Sequence, residues 1–208
     1  MNSTYLKPTI KIQGAVFLDR DGTIIKEVNY LSRIQDIELL PQAAKAIAKL
    51  NQKQIPVILV SNQSGIARGK FTENFVSETH RHLQEMLKRE DAHLDDFFFC
   101  PHHPKAGASP YKKVCNCRKP APGLLYEAAA RHHLDLAKSY VIGDKLIDVE
   151  LALRVNGKGL LVETGHGKSE KEGIAKGKIK PNFIAADLYD AVDWILQRMK
   201  DETIENPR

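Results

Sequence analysis

Short apolar runs at 15–18, 56–60 and 140–142 alternate with stretches of helical periodicity, and this alternation constrains the chain more than any other feature it carries. A run that is apolar at successive positions has no polar face to leave in water, so it belongs to a strand covered on both sides. Helices between such strands supply the cover, and the strands are then parallel. At 41–53, Ala43, Ala46, Ile47 and Leu50 fall on one helical face behind Pro41, whose missing N–H costs little at a helix entry. The pattern predicts further helices over 72–89, 123–132, 146–155 and 188–199, with Trp194 on the apolar face of the last, a strand over 96–100, and edge strands over 160–162 and 183–185. The expected fold class is α/β, a doubly wound Rossmann-like parallel sheet. The 208 residues suit one such domain, taken as 1–200, followed by a frayed tail at 201–208. Residues 165–180 are rich in Gly and Lys and read as a mobile surface loop.

In a doubly wound sheet ligands sit beyond the carboxyl ends of the strands, so the residues just past each run are the ones to collect. Asp19 and Asp21 follow the first run, Ser61 and Asn62 the second, and Gly143 and Asp144 follow 140–142. Strand alternation would put Asp19 and Asp21 on one side of the chain. Two carboxylates so placed can hold a divalent cation, or divide the work of nucleophile and general acid. Each set is also an ordinary turn pair; their recurrence at successive strand ends argues for a site. Cys100-Pro101-His102 and Cys115-Asn116-Cys117 form two ligand pairs with the same one-residue gap. Three thiolates and an imidazole make a closed tetrahedral zinc site, structural rather than catalytic. Three free thiols in a reducing compartment are the alternative, and His103 competes with His102 as the fourth ligand.

The net charge of +5 comes from Lys and Arg interleaved with acids, which describes a solvated surface rather than a nucleic-acid patch. Acids at strand ends would also repel a phosphate backbone. Residues 1–13 lack the apolar core of a signal peptide and no run approaches a membrane span, so the expectation is a cytoplasmic monomer with a small-molecule substrate and neither nucleic acid nor membrane as partner.

The order Asp19-x-Asp21-Gly22-Thr23, Ser61, Lys119, then Gly143-Asp144 with Asp148 four residues on resembles the haloacid dehalogenase superfamily of phosphohydrolases. Within it, SNQSGIARGKF at 61–71 and CNCRKP at 115–120 resemble the D-glycero-D-manno-heptose 1,7-bisphosphate phosphatases and the related histidinol-phosphate phosphatases. The resemblance implies a fold without a large cap domain, carrying a zinc-binding loop at 100–117. It implies Mg²⁺-dependent removal of the 7-phosphate of a heptose bisphosphate, through an aspartyl-phosphate on Asp19, on the way to nucleotide-activated heptose. Asp21 would serve as acid and then base, while Ser61 and Lys119 hold phosphoryl oxygens. Mg²⁺ would be held by Asp19, the backbone carbonyl of Asp21 and the side chain of Asp144. Substrate contacts would come from Glu27, Val28, Asn29, Tyr30, Asn62, Gln63, Ser64, Arg118 and Lys145, and zinc ligands from Cys100, His102, Cys115 and Cys117. The planar fork of Arg118 suits a second phosphate. Asp148 either orients Lys119 or a metal-bound water, or is an acid stabilised at a helix N-terminus. Arg68 and Lys70 could line the entrance, but as charges after a loop they read first as surface residues. Histidinol phosphate is the alternative substrate, placed second because the resembling members have a shorter zinc loop.

Overall fold

The structure is a computed structural model that describes residues 13–174, 177 and 179–205. The reading of the N-terminal segment thus falls, but for Gln13, outside the described residues, as do 175, 176 and 178 of the expected loop and 206–208 of the expected tail.

Six strands, β1 (Val16–Leu18), β2 (Val57–Asn62), β3 (Asp96–Cys100), β4 (Tyr140–Gly143), β5 (Lys158–Val162) and β6 (Phe183–Ala185), form a sheet in the order β3-β2-β1-β4-β5-β6. All of its pairings are parallel. The intervening helices are α1 (Ala43–Gln52), α2 (Glu73–Lys88), α3 (Gly123–His132), α4 (Leu146–Leu153), α5 (Gly167–Ile174) and α6 (Leu188–Glu205). Strand alternation sends Val16 and Leu18 to one face and Phe17 to the other. The first face is sealed by Ile47 and Leu50 of α1, Leu83 and Leu87 of α2, and Val192 and Ile195 of α6. The second is sealed by Leu124, Leu125 and Ala128 of α3 and Leu151 of α4. Burial on both sides is why the central strands had to be apolar throughout.

Several boundaries differ from the sequence reading for local reasons. Pro41 stays in the turn and α1 opens at Ala43, because Gln42 takes a left-handed conformation with φ 60°. Thr72 lies just outside α2, where its hydroxyl caps the Phe75 N–H at 3.2 Å. β5 is interior rather than an edge; the edges are β3 and β6. The expected tail is helical as far as Glu205, since α6 continues and Glu202 reaches back to Lys158 at 3.2 Å. The expected loop after Gly165 is mostly α5, anchored by the Glu170 carboxylate accepting from Leu146 N–H at 3.1 Å and by Lys171 paired with Glu163 at 2.6 Å. Composition signalled exposure there, and exposed helices are composed the same way.

From β1, in the middle of the sheet, the chain runs outward to β2 and β3 and returns to β4 on the other side of β1. The crevice of a doubly wound sheet opens where the strand order reverses, which here is beyond the ends of β1 and β4.

Candidate active site

Asp19 is the first residue past β1, and its N–H still donates to the Ile142 carbonyl at 2.9 Å, so the carboxylate starts from the reversal point itself. The chain then curls tightly. Ile24 and Ile25 N–H donate to the Arg20 carbonyl, and Gly22, at φ +80°, donates to the Ile25 carbonyl. A Cβ at Gly22 would run into the Asp144 carboxylate and Gly165, so the turn needs glycine both for its backbone angle and for the space. Asp21 lies in this turn, bridged to Ile25, and not on a continued strand; it reaches the site through the turn at Gly22 rather than through strand alternation.

Lys119 enters from the far side, held by its backbone. Asn62, at the end of β2, accepts from Lys119 N–H at 3.0 Å and donates to its carbonyl at 3.1 Å. The buried ammonium meets Asp19 at 2.8 Å, Asp148 at 2.6 Å and the Val60 carbonyl at 2.9 Å. Its three protons are all committed. Asp148 comes from the first turn of α4, so of the roles left open for it the structure shows the pairing with Lys119.

Carboxylate oxygens of Asp19, Asp144 and Asp148 lie within 4.8 Å of one another. Burial pushes the Asp19 carboxyl up, but Lys119 and then Lys145 outweigh it and hold the group below the ordinary range. Asp144 goes the other way, to about 7, through burial and the Asp19 charge. Burial likewise raises Asp148 to about 6, against the pull of Lys119. Lys119 stays above the ordinary lysine range because the charges of Asp148 and Asp19 overcome its desolvation. The Asp144 Oδ1 atom is buried without a hydrogen-bond partner. Negative charge is therefore in excess here, the donors are all oxygen, and Asp144 Oδ1 is unsatisfied, as is the Asp148 oxygen turned away from Lys119, which fits a hard divalent cation such as Mg²⁺.

The Asp21 carboxylate is occupied elsewhere. Arg20 Nε and Nη2 donate to its Oδ1 at 3.1 and 3.0 Å, Arg20 Nη2 to its Oδ2 at 2.9 Å, and Gln63 Nε2 to Oδ2 at 3.0 Å. Gln63 Nε2 also donates to the Ser61 hydroxyl at 2.8 Å, and Gln63 Oε1 accepts from Arg20 at 3.0 Å. Arg20 was not singled out in the sequence. Its position between two strand-end acids was the available signal, since a buried Arg needs a carboxylate partner.

These groups floor a cleft of about 270 Å³, a volume for a small molecule. Of the residues read as substrate contacts, Glu27, Asn29, Tyr30, Asn62, Gln63, Ser64, Arg118 and Lys145 line it, whereas Val28 does not and packs against the core. Lys145 Nζ sits 3.5 Å from Glu27 and 3.7 Å from Asp144. Besides Arg20, the sequence reading missed Leu31, Gly65, Phe71, Ile147 and His166 in the lining. His166 comes from the segment read as a loop, and its N–H donates to Asp144 Oδ2 at 2.8 Å, while the hydroxyl of Thr164 donates to the Gly22 carbonyl at 2.6 Å.

Beside the cleft, Cys100, His102, Cys115 and Cys117 converge. Sulfur pairs stand 3.3 to 3.6 Å apart, and His102 Nδ1 is 3.3 Å from Cys117 Sγ and 3.7 Å from Cys100 Sγ. Bonds of about 2.3 Å to sulfur and about 2.0 Å to nitrogen at tetrahedral angles separate ligand atoms by roughly 3.5–3.8 Å, so the cluster has the dimensions of a zinc site. His103 faces its own loop, where Nδ1 accepts from Lys105 and Ala106 N–H. The loop docks through Gly107, at φ +86°, where a Cβ would collide with the Ala67 carbonyl. Arg118 is steadied by donating to the His102 carbonyl at 3.1 Å.

Comparison with known proteins adds independent observations. A family model described as haloacid dehalogenase-like hydrolase matches residues 16–87, and a second hydrolase-like model of that class matches residues 116–191. The chain is 42% identical over 185 residues to the D-glycero-D-manno-heptose-1,7-bisphosphate 7-phosphatase of Thermosynechococcus vestitus, covering 87% of this chain and 94% of the relative. It is 38% identical over 188 residues to the D-glycero-beta-D-manno-heptose-1,7-bisphosphate 7-phosphatase of Escherichia coli K12, covering 90% of each. The crystal structure of the D,D-heptose 1,7-bisphosphate phosphatase of B. bronchiseptica, complexed with magnesium and phosphate, superposes with a TM-score of 0.79 at 31% identity, over 89% of this chain and 99% of that one.

Proposed function

The chain belongs to the haloacid dehalogenase-like hydrolases, and from that premise we propose that it is a Mg²⁺-dependent phosphatase that removes the 7-phosphate of D-glycero-D-manno-heptose 1,7-bisphosphate. The observation that carries the reading is the contact of Lys119 with Asp19 at 2.8 Å, which keeps a buried carboxylate ionised on the floor of a cleft. An ionised oxygen is what an in-line attack on phosphorus requires.

In this reading the free Asp19 oxygen attacks the scissile phosphorus, the bond from phosphorus to the sugar oxygen breaks, and Asp21 delivers a proton to that oxygen. Water then attacks the aspartyl-phosphate, Asp21 takes up its proton, and inorganic phosphate leaves with Asp19 restored. Both Asp21 oxygens now act as acceptors, so Asp21 serves as acid once it has turned from the Arg20 fork toward the leaving oxygen and taken up a proton from solvent, a proton that the attacking water returns to it in the second half of the cycle. Ser61, oriented by Gln63, donates its hydroxyl proton to a phosphoryl oxygen. Asp19, Asp144 and the Asp21 carbonyl would hold Mg²⁺, which would supply the positive charge that lets an anionic nucleophile meet an anionic phosphate. Arg118, at the cleft wall, suits the phosphate that does not react. Cys100, His102, Cys115 and Cys117 would hold zinc, which would fix the segment that leads directly into Arg118 and Lys119. A thiol-rich metal cluster of this kind suits a reducing, cytoplasmic setting.

The test is phosphate release by purified protein with Mg²⁺ from heptose 1,7-bisphosphate, sugar monophosphates and histidinol phosphate. The bisphosphate is expected to turn over fastest, and Asp19→Asn to release none. Faster turnover of histidinol phosphate, or near-normal release by Asp19→Asn, overturns the reading.

A further inference from the structure

His103 poses a hydrogen-bond problem that its surroundings do not solve. Its Nδ1 accepts two backbone N–H groups, from Lys105 at 3.1 Å and Ala106 at 2.8 Å. A nitrogen that accepts carries no proton, which excludes the imidazolium and puts the single proton of the neutral ring on Nε2. Yet 3.2 Å from Nε2 lies Nη2 of Arg68, and a guanidinium has only donors to offer. Two N–H groups therefore face each other with no acceptor between them. The opposite tautomer would accept from Arg68 but would set Nδ1–H against two backbone donors, losing two bonds to gain one.

Cations dominate the field at the His103 ring. The charges felt most by the His103 ring are those of Arg118, Arg68 and Lys105, with no acid among them. Arg68 also lines a shallow groove with Gly69, Lys70, Ala106 and Gly107, and Tyr30 borders both that groove and the cleft. Donors that converge, carry positive charge and lack an acceptor describe an oxyanion site.

We propose that His103 Nε2–H and the Arg68 guanidinium together bind a phosphate oxyanion beside the shallow groove that meets the cleft at Tyr30. Its identification with the non-reacting phosphate of the substrate rests on the function proposed above; the anion site itself does not. The alternative source is free phosphate.

The experiment has two arms. In the first, ¹⁵N-resolved NMR of the full-length protein reads the tautomer of His103 and follows its Nε2 signal as inorganic phosphate is added. The expected result is the Nε2–H tautomer and a saturable shift that Arg68→Gln abolishes. His103→Asn serves as the second variant, because its amide oxygen can keep the two loop bonds while the Nε2 donor is gone. In the second arm, kcat/KM is measured for the heptose bisphosphate and for an aryl monophosphate. A roughly tenfold loss in both variants for the bisphosphate, with a much smaller loss for the aryl ester, identifies the anion as the substrate's second phosphate. A phosphate-dependent Nε2 shift with equal kinetics on both substrates identifies free phosphate as the ligand. An Nδ1–H tautomer, or no saturable shift, overturns the site. Failure of the wild type to hydrolyse the bisphosphate would remove the functional reading while leaving the first arm decisive.

Discussion

Replacing Lys119 by Met keeps most of the side-chain volume and removes the charge that balances the site. Lys119 is 3% exposed, and its ammonium lies 2.8 Å from Asp19 and 2.6 Å from Asp148, which are 6% and 0% exposed. Deleting one partner of a buried ion pair costs about 3–5 kcal/mol, because the remaining charge is stranded away from water. At an unfolding entropy of about 2.1 cal/mol/K per residue, a chain of 208 residues loses roughly 7–11 °C of Tm for that penalty. The loss should depend on pH. Without Lys119 the Asp148 carboxyl rises further and the Asp19 carboxyl, freed from the charge that held it down, is pushed up by burial; the native state then holds protons that the unfolded state has released, and the penalty shrinks as pH falls through those raised values. Scanning calorimetry in chelator at pH 8 and pH 5.5 measures both effects. Adding Asp148→Asn to Lys119→Met should recover much of the lost Tm at pH 8, since one stranded charge is gone. A Tm for Lys119→Met within 2 °C of wild type at pH 8, or a further fall on adding Asp148→Asn, would refute the argument that these charges are desolvated and mutually dependent.

Mg²⁺ must displace a proton from Asp144, whose carboxyl is raised to about 7, so its affinity should be about tenfold weaker at pH 6 than at pH 8; calorimetric titration showing equal affinity would contradict the assignment of Asp144 as a ligand. His80 is buried against Phe97 and Phe99, and burial, helped by Arg20, lowers it from 6.5 to about 3. The unfolded chain therefore takes up a proton below pH 6.5 that the native state refuses, and stability falls with pH. Between pH 7.5 and pH 5, urea unfolding should show the wild type losing about 2 kcal/mol more than His80→Phe, and parallel losses would show that His80 titrates freely. Protein purified without chelator should hold one zinc per chain, and Cys115→Ser should lose zinc, Tm and activity together; retained stoichiometric zinc in that variant would move the site elsewhere.

The sheet was legible because β1, β2 and β4 are buried on both faces, which forces apolar runs that no other environment demands. Asp19, Asp144 and Lys119 were legible as a motif, and the paired cysteines as a spacing. Arg20 was not, because its burial depends on the Gly22 turn and on Gln63, 43 residues away. His166 and α5 were missed for a related reason. Their segment is polar, like any surface loop, and it is tertiary contacts with Gly22, Asp144 and Leu146 that fix it. Val28 was assigned to the cleft with its neighbours, although an apolar side chain flanked by polar ones was free to turn to the core. Residue types announce chemistry, while contacts between distant segments decide which side chains share it.

The two-bond clasp between the Asn62 side chain and the Lys119 backbone has a consequence for how this enzyme can change. The chemical groups are pinned to strand ends and to each other, whereas the rim at 27–31, 64–70 and 103–112 hangs from turns. Selection can therefore rewrite the rim without detuning the reaction, and so can an engineer. Exchanging 103–114 for the corresponding stretch of a relative with another substrate should transplant preference while the geometry around Asp19 stays still, which makes the clasp a seam along which new phosphatases can be cut from this one.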